Sequence, residues 1–401
     1  MTPPGTGGRC LLVCHTFPPL IGGSAGVYEA LARHAGGAIA VLTSRLDPAT
    51  GRERPGWREA DAAAPYPVRR LGLVRPPLPG GASGNPLLRH GAWGARAAWL
   101  ALSVAREARR HQADTVCICD DETVGWLVPL VRHALRRRAL IYCHGDDLVQ
   151  EDPAPRAARR RWFDAADMIV AAGGFPAARL AGAYGVAAER IAVLPNGVDT
   201  GHFRPLPPDP ARRAALGLEG RRVILAPTRL VARKGVDRLI QAMPQVSARH
   251  PDAVLLVVGE GPQRPELERM AEAVGGAQVV RFAGAIPPTE MPALYALAEL
   301  VALPNRAGAG ESDGTPLVLL EANACGRPLI AGRAGGTAEV VRDSDNGLLV
   351  DGEDPAAIAA AILRLLDDPA LAASLGACGL KVAGEAGWAA RAGAFLALCR
   401  P

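Results

Sequence analysis

The sequence predicts an α/β protein of two similar domains, each a parallel sheet with helices on both faces. Three observations predict it. The chain has 401 residues, too many for one ordinary hydrophobic core and suited to two of about 150 to 200 residues. Short, continuously apolar runs alternate with longer amphipathic ones, the order expected of strands buried on both faces and their crossover helices. Glycine-bearing loops follow several of the apolar runs, at the carboxyl ends where open α/β sheets present themselves to ligands.

Composition narrows the class. Apolar residues make up 49% of the chain, enough for globular cores. No apolar run reaches the roughly 18 to 20 residues that span a bilayer. The opening MTPPGTGGRCLLVCH lacks the basic and hydrophobic regions of an export signal, so a cytoplasmic location is expected. The eight cysteines are scattered, with Cys14, Cys117, Cys119 and Cys143 in strand-like runs. Reduced core thiols are therefore expected rather than disulfides or a metal site. Residues 1–200 hold 24 arginines against 18 acids and the remainder 21 basic residues against 22 acids, which places the net positive charge in the first half. It gathers at Arg106, Arg109 and Arg110, at Arg136-Arg137-Arg138 and at Arg159-Arg160-Arg161. Two readings stay open: solvated helix faces, or peripheral contact with an anionic membrane surface or acceptor. Aromatics are 4% of the chain and are not interleaved with the arginines, which speaks against nucleic acid.

Taken in order, Cys10–Cys14 is the first strand, and a helix runs from Val27 to His34 after the loop HTFPPLIGGSAG. Gly22 and Gly23 let the backbone approach a ligand there, or ease a turn. The loop is not GxGxxG and no acid ends a second strand about 20 residues on, which disfavours a nicotinamide cofactor. Ala38–Ser44 is the second strand. Residues 47–91, rich in Pro, Gly and Arg, show little periodicity and read as a long loop. Gly91–His111 is an alanine-rich helix, and Thr115–Cys119 and Ala139–Cys143 are strands. His144 stands where the latter gives way to a loop, from which such a domain presents side chains to its ligand. Asp120, Asp121 and Glu122, with Asp146 and Asp147, raise a divalent-metal site; no His or third carboxylate stands at ligand spacing, so none is expected. Ala166–Ala171 is a strand, Pro176–Tyr184 a helix and Ile191–Leu194 a strand, leading to Pro195–Asp199 and a proline-rich segment, the best domain boundary.

Arg222–Ala226 restarts the pattern. The loop PTRLVARKG at 227–235 opens a helix to about Ser247, and it contains Lys234, one of only two lysines in the chain. A sequence that otherwise uses arginine and keeps lysine there suits a compact charge for phosphate, with Arg229 as a planar fork nearby. Ala253–Val258 is a strand followed by Gly259-Glu260-Gly261-Pro262, a second loop of close approach. Val279–Ala283 and Glu299–Leu303 complete the alternation. The most informative stretch is Glu311 to Gly336. Thr315 is placed to cap a helix beginning at Pro316, with Leu317, Leu319, Leu320 and Ala324 as its apolar face. Gly326 and Pro328 stop it before the strand Leu329–Ala331 and Gly335-Gly336. The free N–H groups of the helix start suit phosphate oxygens. Asp313 precedes the helix, as a cap or as a ligand group. Glu321 rides inside it among apolar neighbours and needs a partner, or a ligand bearing hydroxyls, to offset its desolvation. Gly384–Pro401 is an amphipathic terminal helix.

In this order, PPLIGG near the start, NGVD at the linker, RLVARKG, GEGP, the acids Asp313 and Glu321 separated by seven residues, and GG-T-AE after them resemble the retaining family 4 group of GT-B glycosyltransferases over almost the whole chain. The resemblance implies two Rossmann-like domains with parallel sheets facing across a cleft: residues 1–200 for the acceptor, 201–380 for a nucleotide sugar, and 381–401 as a helix crossing back to the first domain. It implies transfer of a sugar from a nucleotide-sugar donor to an acceptor hydroxyl, in polysaccharide, glycolipid or glycosylated-metabolite biosynthesis. Anomeric configuration is kept, the leaving phosphate helping to deprotonate the acceptor on the same face. By position, Arg229 and Lys234 correspond to the groups on the donor diphosphate, Glu321 to the carboxylate on the ribose, and His144 to a histidine beside the anomeric carbon. Asp313 corresponds to an acid on the donor sugar that is usually Glu, a departure that leaves donor choice unread, and Glu311 to a rim residue. Gly22, Gly23, Gly259, Gly261, Thr315, Leu317 and Val318 complete the donor-binding set. Neither a metal nor a cofactor beyond the nucleotide sugar is implied. The alternatives are a sugar-nucleotide epimerase or phosphorylase of the same fold and, in another class, a non-catalytic nucleotide-sugar binding protein.

Overall fold

The computed structural model describes residues 8–20, 22–47, 50–74, 86–145, 148, 153–307 and 314–400. The chain divides into two compact units, Met1–Pro195 with Trp388–Pro401, and Asn196–Gly387. In the first unit β1 (Cys10–Val13), β2 (Ile39–Ser44), β3 (Val68–Leu71), β4 (Thr115–Ile118), β5 (Arg138–Cys143), β6 (Met168–Ala171) and β7 (Ile191–Val193) form one sheet in the order β3-β2-β1-β4-β5-β6-β7. All neighbours are parallel, and Val13, Ile118 and Ile141 lie level in register across β1, β4 and β5. The residues that follow them therefore leave the sheet at one height. Alternate strand residues Leu11, Val13, Val116 and Ile118 are fully buried under Leu100, Val104, Val131 and Phe163 from the flanking helices.

In the second unit β8 (Arg222–Pro227), β9 (Ala253–Val258), β10 (Val280–Gly284), β11 (Ala298–Leu303), β12 (Leu329–Gly332) and β13 (Gly347–Val350) form a parallel sheet in the order β10-β9-β8-β11-β12-β13. Its strands are apolar on both faces for a visible reason. Ile224, Leu255 and Val257 join one core while Val223, Leu225, Val254 and Leu256 join another on the opposite face.

Several local expectations need correcting. Residues 47–91 are not one loop, because they contain the helix Trp57–Ala62, β3 and the start of the helix Pro86–Arg110. β3 reads Val-Arg-Arg-Leu and carries no apolar signal. Its Arg70 is nonetheless buried, donating to Asp61 and to the carbonyl of Ser44. The segment that returns to the first unit starts at Trp388 rather than at residue 381, since 381–385 finish the helix Pro369–Glu385. The helix Trp388–Leu398 packs on the helix Gly23–His34. Phe395 is fully buried with its ring centroid 6.2 Å from that of Tyr142, and Thr115 Oγ1 donates to Cys399 O at 2.8 Å. Around the crossings, Val198 N donates to Ala386 O at 2.8 Å and Val198 bridges to Gly387. All eight cysteines are free thiols, seven of them buried.

The triplet Arg159-Arg160-Arg161 is not simply a solvated face. Arg159 is buried, its Nε 2.6 Å and Nη2 3.0 Å from the carboxylate of Asp121 and its Nη1 3.2 Å from Tyr184 Oη. Burial pushes the Asp121 carboxyl up while Arg159 pulls it back down. Removing one partner leaves the other charge stranded in the core. Asp121→Ala should therefore cost about 3–5 kcal/mol in urea unfolding, and Asp121→Leu with Arg159→Met much less, since an apolar pair leaves no charge behind.

Candidate active site

In the second unit the chain order reverses between β8 and β11, and the loops leaving those two strands carry most of the sequence-selected residues. The loop after β8 is tied down on both sides. Thr228 N donates to Val258 O, Leu230 N to Glu260 O and Gln263 N to Leu230 O, at 2.8 to 3.1 Å. Arg306 N donates to Arg233 O at 2.8 Å. Arg229 is exposed and Lys234 half-buried at the end of a short 3₁₀ turn. Gly235, which ends that turn, has φ +69°, and a Cβ there would strike the carbonyl of Pro304 after β11. A side chain at Gly259 or Gly261 would likewise strike the carbonyls of Thr228 and Leu230. These two glycines permit close approach as expected, but what approaches them is the protein's own backbone.

The helix Leu317–Ala324 begins one residue later than expected, with Pro316, not Thr315, in the cap position. The reason is the backbone of Pro316, whose ψ of 112° is extended rather than helical. Leu317 and Val318 thus supply the first N–H groups, which have no partner inside a helix. Thr315 is buried, its carbonyl accepting from Asn196 Nδ2 at 3.3 Å. A Cβ on Gly336 would come within 3.1 Å of Thr315 N, so the Gly335-Gly336 turn after β12 braces the helix start. Glu321 has the partner its burial demands: the Tyr295 hydroxyl donates to its Oε2 at 2.8 Å. Burial still pushes the carboxyl up to about 7, with the Tyr295 hydrogen bond and His202 working in the opposite direction. Asp313 and Glu311 lie outside the described residues, as do Asp146 and Asp147.

In the first unit His144 leaves β5 stacked on Tyr142, ring centroids 4.9 Å apart, with its Nε2 2.8 Å from Tyr28 Oη. Tyr28 donates its own proton to Cys119 O at 3.0 Å, so Nε2 of His144 carries a hydrogen and donates to the tyrosine oxygen. Burial lowers the His144 pKa to about 4, and the ring is neutral at physiological pH. Among the described residues, chain neighbours and the helix's own backbone aside, nothing lies within 4 Å of a Cβ built on Gly22 or Gly23, so packing against them does not explain those glycines. Sequence reasoning passed over one neighbour: His15 Nδ1 lies 2.8 Å from Asp120 Oδ2. With Asp121 paired to Arg159 and Asp120 facing His15, those two acids do not form a metal cluster. Among the described residues no three His, Cys, Asp or Glu side chains gather as metal ligands.

Residues 209–381 match the family Glycosyl transferases group 1, and residues 22–202 match Glycosyltransferase Family 4. The chain belongs to glycosyltransferase family 4. It is similar to the GDP-mannose-dependent alpha-(1-6)-phosphatidylinositol monomannoside mannosyltransferase of Mycobacterium tuberculosis, 34% identical over 92% of both chains. It is also similar to the protein of the same description from Mycolicibacterium smegmatis, 40% identical over 70% of this chain and 74% of that one. Anabaena Alr3699/HepE, solved in complex with UDP and glucose, superposes with a TM-score of 0.75 over 98% of each chain at 19% identity, which shows the shared GT-B fold. This family 4 member is a glycosyltransferase that uses a nucleotide sugar.

The raised Glu321 pKa sets a pH dependence. Its value of about 7 in the folded protein stands above 4.5, so this carboxyl costs folding stability as pH rises from 4.5 to 7. Hydroxyls that donate to it favour the ionised form. Binding of a nucleoside diphosphate should strengthen as pH rises toward 8, approaching about tenfold per unit well below 7, and release a proton. Calorimetry at several pH values checks this against Glu321→Gln, in which that part of the dependence should vanish.

Proposed function

We propose that this family 4 enzyme transfers mannose from GDP-mannose, with retention of configuration and without a divalent metal, to a hydroxyl of a phosphatidylinositol-linked acceptor. The observation that carries the reading is the tie between the Arg229–Lys234 loop and Pro304 and Arg306 just after β11, in the same unit as the helix start at Leu317. Two cationic side chains and a helix N-terminus suit a departing diphosphate and do the work a metal does elsewhere. The donor sugar and acceptor class are taken from the mannosyltransferase relatives. In this reading Arg229 and Lys234 neutralise the phosphates with the N–H groups of Leu317 and Val318, Glu321 accepts from the ribose hydroxyls, and Asp313 accepts from hydroxyls of the sugar. Gly22 and Gly23 leave room for donor phosphate. The neutral ring of His144, held by Tyr28, stands beside the anomeric carbon. The acceptor hydroxyl gives its proton to a leaving phosphate oxygen as the sugar–oxygen bond breaks on the same face.

The measurement is transfer of labelled mannose from GDP-mannose to a phosphatidylinositol mannoside, with product configuration read by NMR. Activity should survive EDTA. Lys234→Ala should lower turnover on the order of a hundredfold or more, the scale of losing one preorganised charge-stabilising group. An inverted product, or activity lost to EDTA and restored by Mg²⁺, would refute the corresponding part.

A lipid acceptor places the enzyme at a membrane surface, and no described helix is long and apolar enough to cross one. The helix Pro86–Arg110 offers a contact face. Trp99 is 50% and Leu102 70% exposed, on the side that also carries exposed Arg106 and Arg109, while Leu100, Val104 and Ala108 are buried behind them. Aromatic and aliphatic side chains among arginines fit an anionic bilayer interface. In vesicle sedimentation, binding should require anionic lipid and weaken with salt. Trp99→Ala with Leu102→Ala should reduce it at least about tenfold while leaving transfer to detergent-dispersed acceptor intact.

A further inference from the structure

The pair His15 and Asp120 has no part in the scheme above, yet it occupies the reversal point of the first sheet. His15 stands two residues beyond β1 and Asp120 two residues beyond β4, adjacent strands whose ends are level. Their side chains are 23% and 9% exposed, with Nδ1 and Oδ2 2.8 Å apart. Nδ1 is itself shut off from solvent and meets hydrogen-bond geometry with no group, so its tie to Asp120 is one of charge and proximity. A lone pair on Nδ1 would face the carboxylate at that distance, so electrostatics puts the hydrogen there. The exposure of His15 then belongs to the far edge of the ring, where Nε2 is an acceptor in the neutral imidazole. The arrangement is fixed from behind. Thr123 Oγ1 donates to the same Asp120 oxygen, and both terminal nitrogens of buried Arg54 hold the His15 carbonyl at 3.3 Å.

We propose that His15, oriented by Asp120, binds the acceptor: its Nε2 accepts a hydrogen bond from a ring hydroxyl beside the attacking one on a polyhydroxylated ring. The attacking hydroxyl has one hydrogen, and in the reading above that hydrogen goes to the leaving phosphate. His15 therefore takes a neighbouring hydroxyl and fixes the ring's orientation. An acceptor nitrogen attracts hydroxyl hydrogens and repels phosphate oxygens, which separates its role from that of Arg229 and Lys234. Asp120 is a positioning residue. The proposal rests on the transferase reading only in taking the acceptor to be a sugar or cyclitol.

The test uses the full-length enzyme with His15→Ala, His15→Gln and Asp120→Asn, each first checked for thermal stability. His15→Ala should raise the acceptor KM and lower the acceptor kcat/KM about 10- to 100-fold, the scale of one lost hydrogen bond in a site built for it. GDP affinity by calorimetry, and GDP-mannose hydrolysis without acceptor, should stay within about twofold. His15→Gln, which keeps an oxygen near the place of Nε2, should recover part of the loss, and Asp120→Asn should fall between. One deoxy acceptor should lower wild-type kcat/KM to the level of His15→Ala and cost that variant nothing more. An unchanged acceptor KM, or equal losses in GDP affinity and in transfer, would overturn the proposal; if His15→Ala does not fold, the other two variants decide it. If the wild-type enzyme transfers nothing from GDP-mannose, the donor reading has failed instead, and a thermal-shift screen of nucleotide sugars supplies the donor for the same comparison.

Discussion

Where β8 and β11 lie side by side, the chain arrives at one from the far side of the sheet and leaves the other in the opposite direction. Such a reversal leaves a crevice at the carboxyl ends that no crossover helix covers. The same reversal separates β1 from β4. Arg229, His144, His15, Asp120, Gly259 and Gly261 each follow one of these strands or a neighbour within a few positions, while the helix that carries Leu317 and Glu321 begins farther on after β11. The constraint is topological before it is chemical: parallel strands level in register deliver their next residues to one edge, whatever those residues are. Side chains there need only be held in place.

How they are held differs between the two units. In the second, backbone does most of it. The loop 228–235 is hydrogen-bonded to the loop after β9 and packed on Pro304, and the glycines at 235, 259 and 261 are required because carbonyl oxygens sit where a Cβ would be. That rigidity keeps Arg229 and Lys234 from spending binding energy on loop ordering. In the first unit side chains hold side chains: Tyr28 sets His144, and Asp120 sets His15.

The central strands were legible because a strand buried on both faces must be apolar where it is buried, as β1 and β9 are throughout and β5 and β8 are after the arginine that opens each. The edge strands were not. β3 is half arginine, and its burial depends on Asp61, a partner no periodicity reveals. The same blindness hid Arg159, read as part of a solvated face or of a contact with an anionic surface or acceptor, although its carboxylate lies 38 residues away in Asp121. At the candidate site, residue types and loop positions were readable: a lone lysine before a helix, and an acid inside an apolar helix. The partners were not, since Tyr295 stands 26 residues before Glu321 and Asp120 stands 105 after His15. His15 occupies the same kind of strand-end position as His144, and only its facing carboxylate marks it out.

The protonation of these groups follows one logic. A donor diphosphate brings negative charge, and a carboxylate or a second cation left bare in a crevice would each disturb its binding. Burial holds His144 neutral down to a pKa of about 4 and holds Glu321 near 7, so at pH 7 the first is uncharged and the second only partly ionised. A ligand that completes the ionisation of Glu321 must donate hydroxyls, because only hydrogen bonds to the ionised form can repay its desolvation. In the proposed scheme His144 needs nothing comparable, since a neutral ring offers fixed hydrogen-bonding directions rather than charge. In the proposed scheme the positive charge is left to Arg229 and Lys234, one exposed and one half-buried, and desolvating them is left to the substrate. In the proposed scheme recognition of the nucleotide is thereby coupled to creation of a charge, and recognition of the sugar to the placement of the Asp313 carboxylate and the neutral His144 ring. Exchange of one sugar for another should consequently depend on shape at that edge more than on pH.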